Sequence, residues 1–268
     1  MASPYLRGPG DPVRVLGHRG AAALAPENTI ASFAVAERCG ADLVELDVRR
    51  ARDGELVVIH DATLDRTTNG HGPVADRTGA EIRALDAGGW FGSAFSGERV
   101  PAFDDLCRWA EGRRVQLSVE LKQGPGVRDA GLAAAVIAVL RLHGLALRVL
   151  VHSFDGASIA EVRQLGPEIA TALLCGPDVT DPLAAAASID AGGIHVSWER
   201  ATAALCGSAH AAGRHVHASG LAEPPDHELL TRLAALGVDS LEADDPGPLV
   251  DVLAAAGLHP PRPATVTP

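Results

Sequence analysis

Short aliphatic runs alternate with helix-length stretches along nearly the whole chain, and this rhythm constrains the fold more than any single residue. The runs predict strands at Val13–Gly17, Val115–Leu121, Val149–Ser153, Ile169–Leu174, Gly193–Val196, His215–Ala218 and Ser240–Ala243. Helices fit between them at Thr29–Arg38, Phe103–Glu111, Arg128–His143, Ser158–Leu165, Pro182–Ser188, Thr202–Ala212, His227–Leu236 and Pro248–Ala255. Asn28 stands as the N-cap of the first helix and Gly40 as its stop. Such βα alternation predicts an α/β fold with a parallel sheet, closed into a TIM-type (β/α)8 barrel. One barrel domain accounts for the whole length, 1–268.

The stretch Leu43–Asp61, LVELDVRRARDGELVVIHD, reads as two further strands joined by a tight turn, which brings the strand count to nine. Leu56–His60 has no helix before it, and a parallel strand needs a crossover. It is therefore predicted to be the return arm of a long second strand, carrying His60 back to the barrel mouth. With Asp53-Gly54 as the centre of a two-residue turn, Asp47 is expected opposite His60, Arg50 opposite Val57 and Ala51 opposite Leu56. Glu45 shares the face of Asp47, since residues i and i+2 of a strand point the same way. Taken alone, an edge hairpin with solvated charges fits the same residues. Residues 61–100 then break the rhythm with Gly, Thr and charge, and read as a small cap inserted over the mouth, with a short helix at Gly79–Leu85. The tail 259–268, HPPRPATVTP, offers no apolar face and is expected to fray.

The formal net charge of −11 weighs against a nucleic-acid partner, which draws its affinity from Lys and Arg on phosphates. A small phosphorylated substrate needs only a few local cations. Hydrophobic residues make up 47% and aromatics 3%, so the core is expected to be aliphatic. Cys39, Cys107, Cys175 and Cys206 are far apart without a CxxC spacing, which favours free thiols in a reducing compartment. The first residues lack the apolar stretch of a signal peptide, and no run approaches the roughly 20 residues of a membrane span. A cytoplasmic protein follows as the expectation. No exposed apolar stripe demands a partner chain, and oligomeric state is left open.

In a βα barrel the chemistry collects at the C-terminal ends of the strands. The first strand ends in Gly17-His18-Arg19-Gly20, the second carries Glu45 and Asp47, its return arm ends in His60-Asp61, and the third ends in Glu120-Leu121-Lys122. Three converging carboxylates, Glu45, Asp47 and Glu120, repel one another unless a cation sits between them. Oxygen ligands select one hard divalent ion, Mg²⁺ or Ca²⁺. His18 and His60 suit proton transfer near neutral pH, and Arg19 and Lys122 suit phosphate oxygens. Metal, acid-base pair and cations together describe phosphoryl transfer. Each piece alone has a plain structural reading; their joint placement at consecutive strand ends favours the functional one. His217 is expected at the mouth against substrate, and Trp198, with Trp90 and Phe91 of the insertion, covers the leaving group or packs in the core. His215 and His217 as a soft-metal pair are set aside, because no cysteine or third histidine lies nearby in sequence.

The chain resembles the glycerophosphodiester phosphodiesterases, a branch of the superfamily that includes phosphatidylinositol-specific phospholipase C. The resemblance rests on GHRGAAALAPENTIASF (Gly17–Phe33), VELDVRRARDGELVVIHDATLDRTTNG (Val44–Gly70), VPAFDDL (Val100–Leu106), SVELK (Ser118–Lys122), HSFD (His152–Asp155) and GVDSLEADDP (Gly237–Pro246). It implies hydrolysis of a glycerophosphodiester to sn-glycerol 3-phosphate and an alcohol, with the substrate's own glycerol hydroxyl attacking to form a cyclic phosphate that water opens. By similarity Glu45, Asp47 and Glu120 bind the metal, His18 and His60 form the acid-base pair, Arg19 and Lys122 hold phosphate, and Glu27 is a supporting polar residue. The chain departs from the family's pattern at His217-Ala218-Ser219-Gly220, where many members have Trp-Thr-Val-Asn, and at Ala243-Asp244, where they have Thr-Asp. Two rivals keep the fold: lysophospholipase D activity on the same site, and a catalytically inactive barrel that binds a phosphodiester.

Overall fold

A computed structural model of the chain describes residues 2–124, 128–221 and 226–262. The first half runs β1 (Arg14–Gly17), α1 (Ile30–Arg38), β2 (Leu43–Arg50), β3 (Leu56–Val58), α2 (Gly79–Arg83), α3 (Phe103–Ala110), β4 (Gln116–Leu121) and α4 (Leu132–Leu142). The second half runs β5 (Val149–Ser153), α5 (Gly156–Leu165), β6 (Ala170–Leu174), α6 (Pro182–Ser188), β7 (Gly193–Ser197), α7 (Ala203–Ala211), β8 (His215–Ser219), α8 (His227–Leu236), β9 (Ser240–Ala243) and α9 (Pro246–Ala255). Eight of the strands are parallel neighbours, and β1 pairs both β9 and β2, which closes the ring into a TIM barrel. The ninth, β3, lies antiparallel on β2 outside the ring, as the missing crossover helix requires.

The hairpin register differs by one residue from the expected one. Val48 pairs Val58, Arg49 pairs Val57 and Arg50 pairs Leu56, so Ile59 rather than His60 stands beside Asp47, its N–H donating to the Asp47 carbonyl at 2.9 Å. Ala51 donates to Glu55 at 2.8 Å and Gly54 to Ala51 at 3.0 Å, with Gly54 at φ +91°. That is a three-residue loop, a turn followed by a left-handed glycine, which Asp-Gly serves as well as it serves a two-residue turn. His60 lies past the end of β3, where the Arg49 guanidinium grips its carbonyl at 2.6 and 2.8 Å.

Two aliphatic shells lie between strands and helices, one around Phe33, Leu46, Phe103 and Val119, the other around Val15, Ile194, Val216 and Leu241. Inside the ring, Leu16, Leu43, Leu150 and Ala172 pack with Tyr5 of the N-terminal segment. The inner face above them is polar, which is where the site begins.

Residues 62–100 build an apolar cluster of their own, Leu64, Val74, Ile82, Ala87 and Val100, against Val57 and Ile59 of the hairpin arm. Thr78 and Glu81 form a reciprocal capping box on α2, which ends at Arg83. Trp90 packs edge-on against Phe91, and Phe91 against Phe95. The tail does not fray at its start: His259 is buried, with Nε2 2.9 Å from Asp42. Its last six residues, 263–268, lie outside the described residues.

Candidate active site

The β1–α1 turn is the scaffold of the site. Arg19 and Asn28 both take positive φ, 50° and 59°, a strained conformation for residues with a Cβ. The strain aims their polar groups. Arg19 N–H donates to Glu45 Oε2 at 2.9 Å. Asn28 Nδ2 donates to Asp47 Oδ2 at 2.7 Å, and Asp47 N–H donates to Asn28 Oδ1 at 3.1 Å. Asn28 is therefore not the N-cap expected of it; Thr29 caps α1 by accepting from Ser32 N–H. Gly20 is obligatory at the turn, since a Cβ there would come within 2.3 Å of Ser32 Oγ.

Strand β2 turns Glu45 and Asp47 inward and β4 adds Glu120, all buried; one oxygen from each lies within 4.8 Å of the others. Lys122 Nζ reaches Asp47 at 3.1 Å and Glu120 at 2.7 Å, and Arg19 Nε is 3.6 Å from Asp47. Three buried negative charges face two positive ones. The shortfall shows on Glu45, whose carboxyl is pushed well above the usual range by burial and then by Asp47. Burial also raises Glu120, whereas Lys122 and Arg19 outweigh burial and hold Asp47 below its usual range. An all-oxygen set short of positive charge fits a hard divalent cation.

The two expected histidines are held alike. His18 Nδ1 is 2.6 Å from Asp244 Oδ1, and His60 Nδ1 is 2.7 Å from Asp61 Oδ1, which leaves each Nε2 for the mouth. Burial opposes the charge on His18, but Glu242, the Asp244 hydrogen bond and Glu45 push it up to about 10. His60 is lowered, chiefly by burial. Glu27 accepts from Arg19 Nη1 at 2.8 Å and from Arg66 Nη1 at 2.7 Å, while Arg66 Nε also donates to Asp61 at 2.7 Å. Glu27 thus links Arg19 to the His60–Asp61 pair through Arg66, a residue of the insertion.

A cavity of about 410 Å³ opens over these groups, lined by His18, Arg19, Glu45, His60, Glu120 and Lys122 on one side. The opposite wall is Phe154, Leu174–Pro177, Val196 and Arg200, and no described residue of 61–100 lines it. The insertion therefore buttresses the hairpin, with Trp90 and Phe91 away from this cavity. Trp198 packs on the second aliphatic shell instead of lining the mouth. His217 sits lower, buried at 2% exposure, with Nδ1 2.8 Å from Ser240 Oγ and Nε2 3.4 Å from Glu242. Sequence reading missed Asn28 and Arg66 as positioning groups, Asp244 and Asp61 as histidine partners, and Glu242, His152 and His195 inside the barrel. Only the alternation of inward residues, Ser240 then Glu242, signalled the fourth carboxylate.

A parallel barrel with this mouth is an enzyme of the phosphoric diester hydrolase class. The family model of the glycerophosphoryl diester phosphodiesterases matches residues 18–248. The chain belongs to that family. A glycerophosphodiester phosphodiesterase of Caldanaerobacter subterraneus subsp. tengcongensis is 34% identical over 243 residues, 91% of this chain and 98% of that one. A crystal structure of glycerophosphodiester phosphodiesterase from Agrobacterium tumefaciens superposes with a TM-score of 0.78 at 33% identity, covering 91% of this chain and 99% of that one. An Oleispira antarctica phosphodiesterase, solved in complex with the product sn-glycerol-3-phosphate, superposes with a TM-score of 0.82 at 29% identity, covering 91% and 97%. Among the described residues no helix is long and apolar enough to cross a membrane.

Proposed function

We propose that the chain hydrolyses glycerophosphodiesters to sn-glycerol 3-phosphate and the free alcohol. The observation that carries this reading is the convergence of three buried carboxylates, two cations and two aspartate-held imidazoles on one cavity of about 410 Å³. The product named for the Oleispira relative supports the same chemistry. Glu45, Asp47 and Glu120 would hold one Mg²⁺ or Ca²⁺. When bound, the ion supplies Lewis-acid polarisation of a phosphoryl oxygen.

The chain's own groups do the rest. Arg19 and Lys122 bind the phosphate oxygens, and Glu27 keeps the Arg19 guanidinium turned to the mouth. One imidazole Nε2 takes the proton of the attacking glycerol hydroxyl while the other gives a proton to the departing alcohol. The cyclic phosphate so formed is opened by water with the two roles exchanged. Asp61 and Asp244 accept from Nδ1 and so hold each ring in the tautomer that leaves Nε2 reactive.

The deciding experiment incubates the protein with glycerophosphocholine, glycerophosphoethanolamine and a lysolipid, with Mg²⁺ or Ca²⁺ and with chelator, and follows glycerol 3-phosphate from the short diesters and acylglycerol 3-phosphate from the lysolipid. Turnover of the short diesters that chelator abolishes is expected. Turnover of the lysolipid alone would move the substrate to the lysophospholipase D class, with the apolar wall around Phe154 as its seat. Binding without turnover of any diester would leave an inactive barrel and overturn the proposal.

A further inference from the structure

Deeper in the barrel, β5, β7, β8 and β9 turn His152, His195, His217 and Glu242 inward, and apart from the charge of Glu242 near His18 the phosphodiester chemistry above gives them no role. Barrel interiors are filled by branched aliphatic side chains, so three imidazoles and a carboxylate packed there are costly unless their polar atoms are satisfied. They are not. His217 Nε2, Glu242 Oε2 and both ring nitrogens of His152 are buried without a hydrogen-bond partner. Buried polar atoms without partners, gathered in one place, call for a physical explanation, and a bound ion is one.

The geometry names the ligand's class. His195 and His217 are direct neighbours across the β7–β8 pair, with ring centroids 4.1 Å apart. One ligand atom from each of His195, His217 and Glu242 lies within 4.8 Å of the other two. An ion held at about 2.1 Å needs neighbouring ligands about 3.4 Å apart in a tetrahedron, a closure within reach of small side-chain rotations. A serine hydroxyl already holds one nitrogen of each ring: Ser240 on His217 at 2.8 Å and Ser219 on His195 at 2.8 Å. Such outer partners orient imidazoles around bound metals. His195 and Glu242 also line the mouth cavity, which would give an ion access.

We infer that His195, His217 and Glu242 form a second metal site, one that takes a divalent transition ion of the zinc class. Two imidazoles and one carboxylate select such an ion over Mg²⁺ and Ca²⁺, which the all-oxygen set of Glu45, Asp47 and Glu120 prefers. His152 stands between the two sets, its Nε2 4.0 Å from Glu45 and its ring 5.8 Å from that of His195. The sequence concealed the site because its ligands come from three strands, and the partner of His217 is His195 rather than His215. His215 lies lower, with Nδ1 2.7 Å from Ser3 Oγ.

The test reads metal directly and does not depend on turnover, so it stands apart from the fate of the phosphodiesterase reading. Chelator-stripped full-length protein is dialysed against Zn²⁺ in excess Mg²⁺, freed of loose metal, and its zinc content measured. Retention of one Zn²⁺ per chain is expected. His195→Ala, His217→Ala and Glu242→Gln should each weaken it by at least the roughly 10- to 100-fold that loss of an outer partner costs. Glu45→Gln and Glu120→Gln should retain it. No retained zinc, or zinc lost with the carboxylate variants and kept in the histidine variants, overturns the inference. Because removing a buried imidazole can unfold the chain, wild-type protein carries a second readout. Co²⁺ in place of Zn²⁺ should give the intense visible band of a low-coordinate, nitrogen-bound ion; the faint band of a six-oxygen site overturns the inference equally.

Discussion

His18 and His60 stand on opposite sides of the charge balance. His18 sits among Glu242, Asp244 and Glu45 and holds its proton tightly, whereas His60 is desolvated beside Lys122 and Arg19 and holds its proton weakly. If both act in proton transfer, His18→Ala and His60→Ala each lower kcat by about 10²-fold or more. Wild-type rates in either would remove that residue from the mechanism. Asp244→Asn and Asp61→Asn keep the imidazoles but loosen their tautomers, so smaller losses in kcat with KM nearly unchanged are expected. The carboxylates make a separate prediction. Glu45 is raised by burial and by Asp47, so Glu45→Gln removes repulsion and, on the proposed function, a metal ligand together. It should raise the Mg²⁺ concentration for half-maximal activity; an unchanged metal titration would contradict its role as ligand.

At the scale of an element, the β1–α1 turn shows that capping and site-building fall to adjacent residues. Thr29→Ala removes an N-cap and is expected to cost about 1 kcal/mol in urea unfolding with no change in metal requirement. Asn28→Ala strips two hydrogen bonds from Asp47, including the partner of its buried backbone N–H, at a cost of about 1–3 kcal/mol. Asn28→Ala should also weaken metal binding by about 10- to 100-fold. Equal metal titrations in the two variants would refute the distinction. Asn and Thr are both good caps, so composition could not choose between Asn28 and Thr29. The same limit explains the hairpin: Asp53-Gly54 announces a turn, but two- and three-residue loops differ by one residue in register, and only backbone conformation separates them. Strands and helices were legible because their hydrophobic period is local. The carboxylate and histidine set was legible because barrel topology fixes which ends converge. Arg66 on Glu27 and His195 beside His217 are long-range meetings that no local pattern records.

Across the whole molecule, barrel closure depends on β1, which joins the first strand pair to the last, and the chain's end fastens that seam. Asp42 Oδ2 accepts from Val15 N–H of β1 at 2.8 Å and from His259 Nε2 at 2.9 Å, while His259 Nδ1 is 2.6 Å from the Pro260 carbonyl. Both ring nitrogens thus face acceptors, and a neutral imidazole has one N–H to give. Burial opposes the second proton, but the Asp42 hydrogen bond and charge win, and the His259 pKa is raised above its usual 6.5. His143, between Glu111 and Asp104 at 2.5 and 2.9 Å, is raised for the same reason. A raised folded pKa stabilises fully below the unfolded value near 6.5, and the contribution fades as pH rises through the folded value. His259→Gln keeps a donor but cannot titrate, so it should melt below wild type at pH 6 and approach it at pH 9. A charge-assisted bond to half-exposed Asp42 is worth about 1 kcal/mol, or about 2–4 °C in Tm for a chain of this size. A Tm gap that stays constant from pH 6 to pH 9 would show that His259 holds the seam by shape rather than by charge.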